Sequence, residues 1–334
     1  MIYEIHRCSA EEKPLLKKFI QEHWKAGHPL ATSDTLLDFQ HRTPDGSYNF
    51  LLAKNTLSGE IDGVFGYIPI LSSPGVYFGA LWKVRDDVQN SEIRLLGVSL
   101  WRKILRLPQF QAYGVSGISE IAQQFYSMAR LTIGQMHHYY IPNERVADFH
   151  IAKFKDKPAA GNTGETPEAV IKTISPEEIR EIKYSYYPEK DPQYLLARYA
   201  AHPFYKYDFL GVFTAGALQS VLVTRTIDTQ GARCIRIVDI YGNVEQMPSI
   251  YNAVQHLLQT EKAEYIDCLN YGIDPEAFRL AGFCELDFDD PDTVIPNYFE
   301  PFVRENVKIG CAHTPKDHFV IFKGDGDQDR PNIL

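Results

Sequence analysis

The chain carries the same pattern twice. Leu36-Leu37 is followed twelve residues later by Tyr48-Asn49-Phe50-Leu51, and Leu195-Leu196 twelve residues later by Tyr207-Asp208-Phe209-Leu210, an offset of 159 in both places. Other features keep the same order around this anchor. Ser9-Ala10-Glu11-Glu12 opens one segment and Ser175-Pro176-Glu177-Glu178 opens the other. The apolar runs 64–70 and 221–227 lie 157 apart, as do 76–84 and 233–241. An offset that drifts while the order of elements holds is the mark of two diverged copies of one fold. The 334 residues give each copy enough chain for its own core. The Pro, Gly and small residues between Lys155 and Glu168 read as a linker. The expected division is therefore a first domain over 1–154, a linker over 155–168 and a second domain over 169–334.

Charge and cysteine usage narrow the function classes. Net charge is −9, and no segment is a strong basic run. A nucleic-acid footprint needs clustered Lys and Arg, so nucleic acid is not an expected partner. Five cysteines without C-x-x-C spacing argue against a disulfide framework and a structural zinc site. The first thirteen residues lack the apolar stretch of a signal peptide, and no apolar run is long enough to span a membrane. A cytoplasmic setting is expected.

Local signals then give an order of elements. Residues 2–7 alternate as a strand, and Ser9 with Glu12 has capping-box form ahead of a helix whose apolar face is Leu15, Leu16, Phe19, Ile20 and Trp24. Thr32-Ser33-Asp34 caps a second helix. Strands follow at 48–54, 61–70 and 76–84, then a helix near 97–105, a strand at 111–117, a helix at 119–130 and a strand at 134–141. The order restarts with a strand at 169–174, a helix from Pro176 and another at 193–201. Strands at 207–213, 218–227 and 233–241 come next, then a helix at 249–259, a strand at 265–270 and a helix at 275–281. The expected class is α/β (α+β), with two mixed, mostly antiparallel sheets flanked by helices.

This order, repeated, resembles a tandem pair of GCN5-related N-acetyltransferase folds, like the two-domain acetyltransferases of bacterial surface-polysaccharide biosynthesis. The stretches that carry the likeness are His23-Trp24-Lys25 with His28, Gly117-Ile118-Ser119 through Tyr126 to His138-Tyr139-Tyr140-Ile141, and residues 325–332. The resemblance implies acyl transfer from acetyl-CoA to an amine on a small acceptor, an amino sugar or nucleotide amino sugar. It leaves a homo-oligomer open.

The family's chemistry then falls on particular residues. The resemblance puts the oxyanion-binding backbone N–H on the fourth strand, here Gly79-Ala80-Leu81-Trp82-Lys83-Val84. A Gly-rich loop that cradles the coenzyme's diphosphate should follow. In this chain it reads 85–97 with Gly97 as its one glycine and with Asp86, Asp87 and Glu92 close by. Those carboxylates repel phosphate; Arg85 and Arg94 offset them. The second copy's loop, 241–248, holds less acid but also lacks the glycine pattern. The family's general acid is a Tyr on the next helix, and Ala122-Gln123-Gln124-Phe125-Tyr126 fits the start of that motif, which makes Tyr126 the catalytic candidate. Arg130-Leu131 stands where Gly-Phe is expected. The second copy keeps Ala281-Gly282-Phe283 without a matching Tyr. Trp24 and His28 fall on the acceptor side, with Tyr205 at the matching place in the second copy; Asp327 and Arg330 belong to the family's tail motif. No metal site is expected: Asp325, Asp327 and Asp329 lack the form of a calcium loop. Two other readings stay open. One is an aminoacyl transferase of the kind that extends peptidoglycan precursors. The other is a degenerate, non-catalytic pair that acts as a binding or scaffold protein.

Overall fold

The computed structural model of the protein describes residues 2–155, 169–180, 182–242, 244 and 250–333. The chain forms two compact units: Met1–Val115 with Arg330–Leu334, and Ser116–Asp329.

The first unit runs β1 (Tyr3–Arg7), α1 (Lys13–Phe19), a π-turn at Ile20–Trp24, α2 (Pro29–Thr32), α3 (Asp34–His41), β2 (Phe50–Asn55), β3 (Ile61–Pro69), β4 (Val76–Val84), α4 (Ile93–Ile104) and β5 (Ala112–Ser116). The strands lie in sequence order; β1 to β4 are antiparallel, and β5 joins β4 in parallel. Helix α1 starts where the sequence indicates. The Glu12 carboxylate accepts from the Ser9 N–H at 3.1 Å, and a proline in the first turn needs no hydrogen-bond acceptor there. Ser33 caps α3 by accepting from the Leu36 N–H. Leu16, Phe19, Ile20, Leu30, Leu36 and Leu37 then bury one helical face against Phe50, Leu52, Val64 and Leu81 of the sheet.

The second unit contains α5 (Glu120–Met128), β6 (Thr132–Gln135), β7 (His137–Pro142), β8 (Val170–Ile174), α6 (Pro192–Leu195), β9 (Asp208–Thr214), β10 (Ala217–Thr229), β11 (Ala232–Gly242), α7 (Tyr251–Glu261), β12 (Tyr265–Tyr271) and α8 (Pro275–Ala281). Short strands follow: β13 (Cys284–Glu285), β14 (Tyr298–Phe299), β15 (Phe302–Val303), β16 (Gly310–His313) and β17 (Ile321–Phe322). Its large sheet has the order β13-β7-β12-β11-β10-β9-β8, antiparallel except for β11 with β12. One face packs Ile141, Leu222, Ile235, Ile266, Val254 and Phe278 into an apolar core; the other buries Tyr140, Cys234, Tyr265 and Ile295.

Two features depart from the sequence expectation. The helix expected from Pro176 is a single 3₁₀ turn, Pro176–Glu178: its capping box forms, but the chain leaves helical geometry at Ile179. The strand expected over 134–141 breaks at Met136 into β6 and β7, and β7 pairs with β12 from Tyr265↔Pro142 to Asn270↔His137. The compact units divide at Val115/Ser116. Of the expected linker 155–168, only Lys155 is among the described residues.

Candidate functional site

The two copies share a defect in one strand. In the first unit β3 pairs Phe65 with Trp82 and then Tyr67 with Gly79, so β4 carries one residue more than its partner. In the second unit β10 pairs Val223 with Asp239 and then Thr224 with Ile237, so β11 carries one extra residue, Val238. Leu81 and Val238 lie 157 apart in sequence, the same offset as the strands themselves. A bulge bends its strand and ends regular pairing. On the other edge, the parallel ladder of β4 and β5 ends at Phe78↔Gly114 and that of β11 and β12 at Ile237↔Cys268. Past these points each strand pair splays into a notch.

The second notch is filled by the chain itself. Phe322 and Ile321 pair with Asn270 and Tyr271 of β12. The next two residues bridge both walls: the Lys323 N–H donates to the Leu269 carbonyl at 3.2 Å, and the Gly324 N–H donates to the carbonyl of the bulged Val238 at 2.8 Å. Gly324 has no room for a side chain, because a Cβ there would overlap the Tyr199 hydroxyl and sit 2.8 Å from the Val238 oxygen. Asp325 closes the segment, accepting from the Phe322 N–H at 2.9 Å and the Tyr194 hydroxyl at 3.0 Å.

Two clusters of buried charge pin this segment. Lys190 donates to Asp239 at 2.7 Å and lies 2.9 Å from Asp325, with all three side chains buried. Burial opposes the Lys190 ammonium, but Asp239 and Asp325 outweigh it and hold its pKa above the usual lysine value. One cation serves two carboxylates, so burial, with Asp325 adding to it, pushes Asp239 up to about 6. In the second cluster Arg225 pairs with Asp329 at 2.9 Å and Arg236 with Asp267 at 2.5 Å; His138 also meets Asp267 at 2.8 Å. Lys323 lies among these groups, 4% exposed. Burial first, then Arg236, pushes its pKa down to about 7.

The first notch is built differently. At the place of Arg236 stands Gly79, roofed by the Tyr113 hydroxyl, and at the place of Asp239 stands Trp82, stacked on Phe65 at 4.9 Å. Gly97 of α4 packs beside the Trp82 indole, where a Cβ would lie in ordinary contact at 3.4 Å from the ring. Ala80, Trp82, Lys83 and Val84 are half-buried, whereas 238–242 are buried throughout. The loop that should cradle a diphosphate is occupied by its own residues. Lys83 pairs with Asp86, Arg85 with Asp87 at 2.8 Å and Asp62 at 3.4 Å, and the Asn90 side-chain carbonyl accepts from the N–H groups of Glu92 and Ile93 at the start of α4. Arg94 is exposed on α4. Most of the second copy's loop, 241–248, lies outside the described residues.

The remaining candidates are dispersed. Tyr126 is buried on α5, in the second unit, where the helix packs beside β6 and β16. Trp24 ends the π-turn 47% exposed, and His28 is a buried helix cap whose Nδ1 accepts from the Leu30 N–H. Tyr205 covers the Arg225 guanidinium at 4.0 Å and donates to Glu300 at 3.0 Å. Asp327 is half-buried, and Arg330 donates to Asn332 at 2.8 Å. Among the described residues no group of His, Cys, Asp and Glu could hold a metal, and no helix is long and apolar enough to cross a membrane.

No family model matches the sequence, and no curated protein matches it. Solved structures do. A GCN5-related N-acetyltransferase from Anabaena variabilis aligns with a TM-score of 0.55 at 10% identity, over 93% of this chain and 72% of that one. A probable N-acyltransferase from Enterococcus faecalis aligns with 0.49 at 10% identity, over 86% and 71%, and a putative acetyltransferase from Pyrococcus horikoshii with 0.47 at 11%, over 95% and 91%. The chain has the GCN5-related N-acetyltransferase fold. At this identity the likeness shows the fold alone and leaves the chemistry to the residues.

Proposed function

We propose that the protein is a cytoplasmic acyl-coenzyme-A-dependent N-acyltransferase that moves an acetyl group to an amino sugar or nucleotide-linked amino sugar during surface-polysaccharide assembly. The observation that carries this reading is the bulge and splay at Leu81, in a fold whose solved neighbours include acetyltransferases. In the proposed reaction a neutral acceptor amine attacks the thioester carbonyl carbon, a backbone N–H at the β4 bulge receives the oxygen as it becomes negative, and the C–S bond breaks. The nitrogen sheds a proton to solvent as the C–N bond forms, and the Tyr126 hydroxyl gives a proton to the thiolate sulfur and regains one from solvent. Trp24 offers an exposed ring for a sugar face. The acetyl group and the sugar acceptor rest on the family resemblance.

A second reading has an observation of its own. The carboxylates that pair with Lys83 and Arg85, and the Asn90 cap on α4, fit a pair of folds that no longer binds a coenzyme and serves as a scaffold. Thermal unfolding with and without acetyl-CoA separates the two. Ligand at a hundred times its dissociation constant adds about 2.7 kcal/mol to stability, so a rise specific to acetyl-CoA over ATP is expected, and no rise favours the scaffold. A screen of amino sugars for released thiol then finds the acceptor. In that assay Tyr126→Phe should lower the rate by about 100-fold, the small end of general-acid effects; an unchanged rate removes Tyr126 from the chemistry.

A further inference from the structure

The two notches differ in what occupies them. The second holds a strand with hydrogen bonds to both of its walls, a glycine that fits only as glycine, and a buried carboxylate shared by Lys190 and Tyr194. Its bulge carbonyl, Val238 O, is already taken by the Gly324 N–H. Pinning comes from residues far apart in the chain: Lys190 lies 135 positions before Asp325, and Arg225 lies 104 before Asp329. In the first unit, among the described residues, no strand is inserted between β4 and β5, and the residues past the bulge are partly exposed.

We infer that residues 321–325 act as a built-in ligand that seals the second copy's notch, so that the chain takes one acyl thioester, in the first copy. The sealing stands on geometry alone; the placement of the thioester rests on the acyltransferase reading above. A coenzyme entering the second notch would have to displace Gly324 from Val238 and Lys323 from Leu269, and would leave the buried Lys190, Asp239 and Asp325 without their arrangement. Among the described residues, no strand would have to leave the first notch.

Two measurements on the full chain test this. Amide exchange should show Lys323 and Gly324 as protected as β12, with the protection unchanged by saturating acetyl-CoA. Titration calorimetry should give one equivalent of acetyl-CoA. All three tryptophans, Trp24, Trp82 and Trp101, lie in the first unit, so their fluorescence should follow the same titration. Loss of protection at Gly324 on adding acetyl-CoA would overturn the sealing, as would two equivalents. One equivalent with silent tryptophans would overturn the placement. Intact protection with no acetyl-CoA bound would uphold the sealing and sink the acyl-CoA reading instead.

Discussion

Strands β4 and β11 began as one design and now solve one problem in opposite ways. Each gains a residue at the same position, Leu81 or Val238, and each parts from its parallel neighbour just beyond. Breaking a sheet exposes backbone groups that must find partners. Around the second break the chain placed ions and a strand: Arg236, Asp239, Lys190 and residues 321–325. Around the first it placed Gly79 and Trp82 and left the strand's far end partly open. A site that keeps a gap for a ligand forgoes the stability of filling it. On the inference above, the difference between the copies is a division between a half that is sealed and a half that takes the ligand.

The comparison breaks most sharply at Lys190. Lys190→Met should leave Asp239 and Asp325 buried without a cation, and removing one partner of a buried ion pair costs about 3–5 kcal/mol. Urea unfolding would register it; a loss below about 1 kcal/mol, far under that range, would mean that the seal does not depend on this cluster. Gly324→Ala should be next, because its methyl would meet the Tyr199 hydroxyl and the Val238 carbonyl. Overpacking of this kind costs roughly 1–3 kcal/mol, and amide exchange of β17 should accelerate. A Gly324→Ala variant as stable as the parent would show slack in the notch.

The smallest effect is a pH slope. Lys323 faces Arg225 of β10, Arg236 of β11, Asp267 of β12 and Asp329, and its pKa is pushed down to about 7, chiefly by burial. A free lysine titrates near ~10.4. The unfolded chain therefore binds more protons between about 7 and ~10, and this group makes stability rise with pH across that window. Below about pH 7 both states are charged and the cost of a buried ammonium is fully present. Lys323→Met should remove the rise, seen as a smaller difference between urea midpoints at about pH 6.5 and about pH 9. Equal slopes in parent and variant would show Lys323 charged in the fold throughout.

Much of the architecture was legible before any coordinates. Period-two apolar runs marked β2, β3 and β4 and their counterparts, and Ser9, Glu12 and Ser33 marked helix starts, because these signals act over a few residues. The 157-residue offset between the copies carries through to the two bulges, at Leu81 and Val238. What stayed hidden depends on distant partners. Residues 325–332 read as the tail motif of the resembled family. Nothing local says that Asp325 will meet Lys190 or that Asp329 will meet Arg225. The candidate site was partly legible for the same reason. Trp82 and Gly97 do come together, a contact one helix away in sequence, while Asp327 and Arg330 were singled out in a segment whose buried members are Asp325 and Asp329.

The path of β7 has a consequence for how the gene can be cut. This strand precedes residues 155–168, yet it lies inside the large sheet between β12 and β13, with Tyr139 opposite Cys268. Residues 169–334 expressed alone would lack an interior strand and would bare the edge of β12. A protease nick in the segment between them should instead leave two fragments that stay joined through that ladder. A cut between residues 155 and 168 therefore would not divide the large sheet from the strand it needs.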